Sequence, residues 1–414
     1  MGPMHNRRPL LTLLGANAIS MTGNVMALVA IPWFVLATTG SPTKTGIVTA
    51  ANVAPFVIAS FFGGPLVDRL GPHRMSIVSD ILSSVTVAAI PLLHMTIGLR
   101  FWQLVALTFL GALFDAPGTT ARGTLIPDAA TAASWSLERA SGLYAVVERG
   151  ARLAGAPIAG VLLALVGATN VLLLDAVTFI FSAAMIASIA RSRVRPEPAT
   201  SSYRSDIAEG VRFIRNDPFL TAMVISLMIT NFLDMAGTVA MPVIARRVYD
   251  DPVALGLLMG GMGGGSVIGA LIFASKGDRF RRSTVYIWGF MLISVWYPIV
   301  ATFPPLAIAL AAMIVAGIAA GPINPVIDTV MFERVPERLR GRVLGAIGAF
   351  AWIAMPLGAL AGGWAISLVG LRAMLFGTGL IYLISAVILG RSRGIKQMDE
   401  AVAPRTAPST AAPP

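Results

Sequence analysis

The chain is 414 residues long, 56% hydrophobic and only 12% charged, with a mean hydropathy of +0.78. Soluble domains carry about 25% charged residues, so a cytosolic globular protein is excluded, and apolar content this high excludes a disordered chain. The absence of cysteine removes disulfides, iron–sulfur clusters and thiol nucleophiles, and the net charge of +11 points to nucleic acid or a bilayer until the charges are placed.

A span crossing the hydrocarbon core needs about 20 apolar residues. That length predicts twelve spans, at 10–38, 45–67, 75–97, 101–121, 140–166, 170–190, 219–244, 254–275, 283–303, 305–332, 343–369 and 372–390. The first begins directly after Arg7 and Arg8 without a small-residue cleavage site, so it is expected to be a retained helix rather than a signal peptide. With both termini inside, the inner segments hold 24 Lys and Arg and the outer loops 5, namely Lys44, Arg100, Arg246, Arg247 and Arg372. Arg122 is counted among the inner loop charges, and Arg149 and Arg152 lie within a span. The asymmetry follows the positive-inside rule and predicts cytoplasmic termini in a cell membrane. The basic excess is thereby a topology signal and a contact for anionic lipid, so a bilayer and not nucleic acid is the expected partner.

The longest inner loop, 191–218, reads as a linker followed by a short amphipathic helix in SDIAEGVRFIRNDP. It predicts a bundle of six helices at 1–190, a cytoplasmic connection at 191–218, a second bundle at 219–392 and a disordered tail at 393–414. Sliding one half over the other by about 210 residues aligns Pro32 with Pro242, Asn24 with Asp234, and Asp68-Arg69 with Asp278-Arg279. Pro117 and Pro325 align at an offset of 208. Duplicated halves with a substrate site near the midplane between them are an architecture of secondary transporters.

The loop Gly64-Pro65-Leu66-Val67-Asp68-Arg69-Leu70-Gly71-Pro72-His73-Arg74 resembles the GxxxDRxGxxR signature between helices 2 and 3 of the major facilitator superfamily. Leu36-Ala37-Thr38-Thr39-Gly40-Ser41, FDAPGTTARGTLIPDAA, LLLDAVTFIFSA and DIAEGVRFIRNDP resemble its drug:proton antiporter branch, which includes macrolide and tetracycline/aminoglycoside efflux proteins and siderophore exporters. The resemblance implies an all-α membrane protein of twelve transmembrane helices in two pseudo-symmetric six-helix bundles. It also implies a gate formed by Gly64, Asp68, Arg69, Gly71 and Arg74, echoed by Asp278 and Arg279, with Asp128 as a partner for Arg69 or Arg74. The alternative for this loop is a solvated charged turn.

Six acidic residues fall within spans: Asp80, Asp115, Glu148, Asp175, Asp234 and Asp328. Charged side chains at such depth face a cavity or a partner, and a carboxylate there can take and release a proton as the cavity switches sides. Asp80 and Asp328 sit near inner helix ends and Asp175 near an outer one, where capping or snorkelling is expected. Asp115, Glu148 and Asp234 lie deeper and are the proton-coupling candidates. Glu148 and Arg152, four apart, share one helix face in the favourable order for an ion pair, and Arg149 points about 100° away. A purely structural pair is the competing reading. Relatives in the resembling branch carry acidic residues where Asn24 stands, which moves weight onto Asp234; a packing hydrogen bond is the alternative there.

Gly155-Ala156-Pro157-Ile158-Ala159-Gly160 keeps part of the GPxxGG-type signature of antiporters, making Gly155, Pro157 and Gly160 hinge candidates. The run Gly260 to Gly265 lacks the GK[ST] ending of a phosphate loop and reads as helix packing. Asn24, Phe232, Met235, Trp288, Trp352 and Met355 are candidate cavity residues, since methionine and aromatic faces suit loosely specified apolar or cationic ligands. Packing or lipid contact is the competing role for these side chains. Without Cys, GxSxG or HExxH, and with only His5, His73 and His94 scattered along the chain, no enzyme, metal site or cofactor is expected. The expectation is a monomeric proton-coupled exporter of amphipathic, hydrophobic or cationic small molecules in the bacterial inner membrane. The alternative is a facilitator, exporter or importer of a metabolite, lipid or siderophore.

Overall fold

The computed structural model describes residues 6–189, 203–392, 395 and 397–399. The side chains of 60–65, 68, 203–207 and 278 lie outside that description. With them fall the expected gate positions Gly64, Asp68 and Asp278, the expected linker at 191–202 and most of the expected tail.

Every described element is helical: α1 (Arg8–Thr39), α2 (Pro42–Leu70), α3 (Pro72–Thr96), α4 (Phe101–Thr124), α5 (Ile126–Ala133), α6 (Leu137–Ala187), α7 (Tyr203–Asn216), α8 (Pro218–Ile244), α9 (Pro252–Lys276), α10 (Arg282–Ala301), α11 (Leu306–Ala320), α12 (Ile323–Arg334) and α13 (Arg340–Arg391). The starts are encoded locally. Pro42, Pro218 and Pro252 open α2, α8 and α9, and the side chains of Ser41, Asp217 and Asp251 accept hydrogen bonds from the first free backbone N–H groups. Inside lipid these helices are the only economical form, because each backbone group finds its partner within its own segment.

Two elements are too long to be single spans. At about 1.5 Å per residue, the 51 residues of α6 would reach about 75 Å, more than twice the hydrocarbon core. Gly167, at φ 80° and ψ 163°, turns the chain back, and Gly370, at φ 84° and ψ 163°, does the same in the 52 residues of α13. Only glycine reaches that backbone region without strain. Among the described residues nine helical stretches are long and apolar enough to cross a membrane, two of them these doubled helices. Together with α2, the arrangement is consistent with twelve spans and the protein is multi-pass. The span expected at 305–332 runs over Leu306–Arg334, its helix interrupted between α11 and α12 at Gly321-Pro322, since Pro322 has no N–H with which to continue the ladder.

Helices α1–α6 form one half and α8–α13 the other. The loops around Gly71, Arg139, Arg281 and Arg338 share one face with α7, the basic face; the breaks at Gly167 and Gly370 mark the far face. The halves meet mainly through α2 against α13 and α6 against α9. These contacts are backbone-close: a Cβ on Gly46 would lie 2.5 Å from the Ala359 carbonyl, and one on Gly160 only 2.8 Å from the Gly256 Cα. Gly260 faces Pro157, Gly261 and Gly265 pack on α11, and Gly263 and Gly264 face Leu153 of α6, in keeping with helix packing. All of these positions lie toward the far face or the middle. Toward the basic face, a Cβ added to Gly142 or Gly150 of α6, or to Gly341, Gly345 or Gly348 of α13, would meet nothing within 4 Å, so the halves part there into a cleft.

The far-face closure yields a direct test. Thr43 Oγ1 and Ser367 Oγ approach to 2.7 Å across the halves, close to disulfide geometry once both are sulfur. Because the chain has no cysteine of its own, Thr43→Cys with Ser367→Cys should cross-link under oxidation, block transport, and recover it with a reductant. Free transport by the fully cross-linked protein would show that this contact does not open in the cycle.

Candidate functional site

The N-terminal half encloses an ionic cluster. Asp80 of α3 and Arg122 of α4 are both fully buried, with Arg122 Nη1 donating to Asp80 Oδ1 at 2.7 Å. Arg122 Nη2 stands 3.7 Å from Asp115 Oδ1, and Asn24 Nδ2 of α1 donates to Asp115 Oδ2 at 2.9 Å. Arg122 also donates from Nε to Asn17 Oδ1 at 3.3 Å and from Nη2 to Thr119 at 3.2 Å. Four of the guanidinium's neighbours thus come from three helices, which fixes the packing of α1, α3 and α4 around it. This overturns two expectations. Arg122 is not a loop charge, and Asp80 is not a helix-end group reaching for water; each lies where the other can neutralise it. Asp175 likewise caps nothing: it is fully buried against Gly23 of α1.

The C-terminal half presents a different wall. The open face of α8 carries Asn231, Asp234, Met235 and Thr238, three or four residues apart, while Leu233, Ala236 and Gly237 turn into the bundle. Asp234 is solvent-accessible, and Tyr382 Oη donates to its Oδ1 at 2.6 Å. Among the described residues no ion pair reaches Asp234. Behind it Tyr382, Tyr297 and Trp296 stack in sequence, with centroid separations of 5.7 and 4.1 Å. Asn231 Nδ2 donates to the Ala351 carbonyl, and Gly358 lies against the Phe232 backbone, which sets α13 alongside this stretch. Trp352, 41% exposed, falls on the α13 face that carries Ala359 and Gly363 toward α2, and half-buried Met355 lies one turn short of Ala359. Phe232 and Met235 are half-buried beside them.

Between these walls, α6 lines the cleft. Arg152 Nη2 donates to Glu148 Oε1 at 3.1 Å, with side chains 64% and 37% exposed, so the pair is solvated. Exposed pairs of this kind contribute about 0–1 kcal/mol, too little for a structural post. Arg149 is exposed and acts electrostatically on Asp328 of α12, across from it on the other half. One turn further along, Gly155 packs on Val25, and Pro157 and Gly160 pack on Gly260 and Gly256, so the three expected hinge residues stand at the joints of α6 with α1 and α9. At the basic face Gly71 holds φ +80° between α2 and α3. Arg69 is exposed, and Asp128 stands in the first turn of α5, where a carboxylate suits the helix start. Among the described ion pairs none joins Asp128 to Arg69 or Arg74.

A family model described as transmembrane secretion effector matches residues 3–412. The chain belongs to the transmembrane secretion effector family of the major facilitator superfamily. The multidrug efflux pump Tap of Mycolicibacterium fortuitum is 32% identical over 409 residues, covering 96% of this chain and 99% of the pump. Tap of Mycobacterium tuberculosis is 31% identical over 401 residues, covering 95% and 96%. Among solved structures, the nucleoside transporter NupG superposes with a TM-score of 0.79 at 10% identity, over 92% of this chain and 98% of that one. A bacterial homologue of the lysosomal transporter Spinster, inward-facing and unoccupied, superposes at 0.74 and 15% identity over 96% and 99%. These two share the fold.

For this member of the family, one candidate cavity residue is misplaced. Trp288 is 58% exposed on α10, whose buried face carries Tyr286, Phe290, Ile293 and Tyr297. Two residues from Tyr286, it points about 200° away and faces lipid. Trp296 is buried beneath Tyr297, as packing. Arg122 is the residue that sequence reasoning misses. Its signal there is an arginine two turns after an intramembrane aspartate, Asp115, on one apolar helix. Removing it strands two buried carboxylates, so Arg122→Gln should lower stability by about 3–5 kcal/mol. In detergent this reads as a large fall in melting temperature, partly recovered by adding Asp80→Asn; an unchanged melting temperature would mean the cluster is not ionised.

Proposed function

We propose that this chain is a multidrug exporter of the bacterial inner membrane, working as a monomer and driven by inward proton flow, with amphipathic cations as its substrates. The observation that carries the reading is Asp234: a solvent-accessible carboxylate without a cationic partner among the described residues, on the cleft wall with Met235 and Tyr382, with Trp352 and Met355 on the adjoining α13. A negative group beside aromatic rings attracts a lipophilic cation twice over, by charge and by ring faces. Thioethers and flat rings impose little shape, which suits many ligands of one charge type. The resemblance to the Tap pumps supports the same class.

The basic face is cytoplasmic in this reading, because arginine-rich loops are retained there. The cleft then opens to the cytoplasm and the far-face joints are the extracellular seal. A cation enters from the cytoplasm or inner leaflet and settles by Asp234. The halves close over it at the basic face, where Arg149 and Asp328 approach, and part at the far face to release it. Proton binding to carboxylates of the protein drives the return. No covalent chemistry and no cofactor enters the cycle; it is binding and rocking alone, and the protein is a carrier and not an enzyme.

Energised cells lacking their own drug pumps should extrude tetraphenylphosphonium when they express this protein, and a protonophore should stop it. Loss of a charge-assisted contact is worth about 1.5–3 kcal/mol, so Asp234→Asn should weaken cation binding about ten- to a hundredfold while neutral substrates are less affected. Extrusion insensitive to both the protonophore and Asp234→Asn would refute the reading. Export of neutral metabolites alone would favour a dedicated metabolite carrier.

A further inference from the structure

Asp175 is a buried acid for which the cleft chemistry above has no use. It lies in the second segment of α6, fully buried, and its Oδ2 has no hydrogen-bond partner. Thr178 Oγ1 is 3.3 Å from its Oδ1. On the other side α1 presses in so closely that a Cβ on Gly23 would lie 2.3 Å from Oδ1. The charged neighbour acting on it is Asp115, a like charge.

Several elements contribute the surrounding groups. From α4 come Asp115 and Arg122, from α3 Asp80, and from the first segment of α6 Tyr144 and Glu148; α1 supplies the neutral Asn17 and Asn24. The one buried guanidinium is engaged by Asp80 at 2.7 Å and Asp115 at 3.7 Å, while the charge that acts on the third buried carboxyl, Asp175, is Asp115. An uncompensated buried ion costs several kcal/mol, whereas a neutral carboxylic acid costs far less and gains an O–H donor. Charge balance therefore places a proton in the group, and the carboxyl without a cation is its natural seat.

We propose that Asp175 is a proton-binding site of the N-terminal half, filled and emptied through Asp115; this deepens the proton-coupled reading and rests on it. The proton leaves an Asp175 oxygen and is taken by the Asp115 carboxylate, so that the negative charge moves to Asp175. Asp115, 8% exposed and hydrogen-bonded to half-buried Asn24, then releases it to water in the cleft. The state left behind holds three carboxylates, Asp80, Asp115 and Asp175, against the one guanidinium of Arg122, leaving two negative charges in excess. A cationic substrate in the cleft lowers the free energy of that state, so cation binding and proton release are linked, and each weakens the hold on the other. When the cleft instead opens to the far face, the same excess charge recaptures a proton from outside.

The test is proton release from purified, unbuffered protein on addition of tetraphenylphosphonium. Wild type should acidify the medium. Asp175→Asn, which keeps the shape of the neutral acid, should bind the cation more weakly and with an affinity that no longer rises with pH, should release no proton, and should exchange labelled cation across vesicles while failing at gradient-driven uptake. Normal release and normal driven uptake in Asp175→Asn would overturn the proposal and leave the proton-coupled reading intact. No release from wild type would overturn both. Should Asp175→Asn fail to reach the membrane, Thr178→Val serves in its place: loss of the hydroxyl beside the carboxyl should shift the pH profile of proton release, and an unshifted profile counts against Asp175.

Discussion

The buried guanidinium of Arg122 is the constraint around which the N-terminal half is built. A cation in hydrocarbon is tolerated only when its charge and its donors are satisfied at once. Doing so here takes Asp80 from α3, Asp115 from the same helix α4, Asn17 from α1 and Thr119 one turn away. None of these partners can move alone without stranding the others. The consequence is mechanical: three helices behave as one rigid body, which is what a rocking transporter needs of each half. Asn24 extends the same network to the cleft through Asp115, so rigidity and communication with the substrate space come from one set of bonds.

The joint between the halves is made of the opposite material. Gly46 with Gly363, and Gly160 with Gly256, let backbones meet without interlocking side chains. The described polar bonds across this joint are Thr43 with Ser367 and Arg247 with the Gly40 carbonyl. Small-residue contacts in lipid depend on close van der Waals packing, which is lost within a fraction of an ångström of separation. Such a seal is tight when closed yet has few directional bonds to break, so it can open as a unit. Pro157, within α6, is seated on Gly260 at this joint.

How far the sequence discloses all this depends on the range of the interaction. Span positions are legible because apolar runs and Pro-first helix starts are local. The Glu148–Arg152 pair is legible because four residues make one turn. Asp80 and Arg122 are 42 residues apart and Arg122 and Asn17 are 105 apart, so position along the chain suggests a loop cation and a helix-end acid in place of a pair. Trp288 misleads for a related reason: an aromatic on an all-apolar helix has no polar stripe to show which side is wet. The breaks at Gly167 and Gly370 are each one glycine within an apolar run, distinguishable from packing glycines only by the impossible length of the helix they interrupt.

The duplication makes the unlike chemistry of the halves most visible. The breaks at Gly167 and Gly370 are 203 residues apart. That offset carries Asp175 onto Thr378, and Phe179 onto Tyr382, the partner of Asp234. The offset of 210 carries Asp80 onto Phe290, and that of 208 carries Arg122 onto Val330 and Asp115 onto Ile323, all three buried. Where one half has its ionic cluster, its twin has phenylalanine, valine and isoleucine; where the first has Phe179, the second has the tyrosine that touches the cleft carboxylate. Two copies of one scaffold can rock as a symmetric pair because packing shape is retained. They can handle different cargo because charge is not: the half that can hold a buried cation and surplus carboxyl groups suits protons, and the half filled with rings suits an amphipathic cation. Coupling then needs no contact between the two ligands, only a shared cleft in which the positive charge of one offsets the carboxylate left by the other.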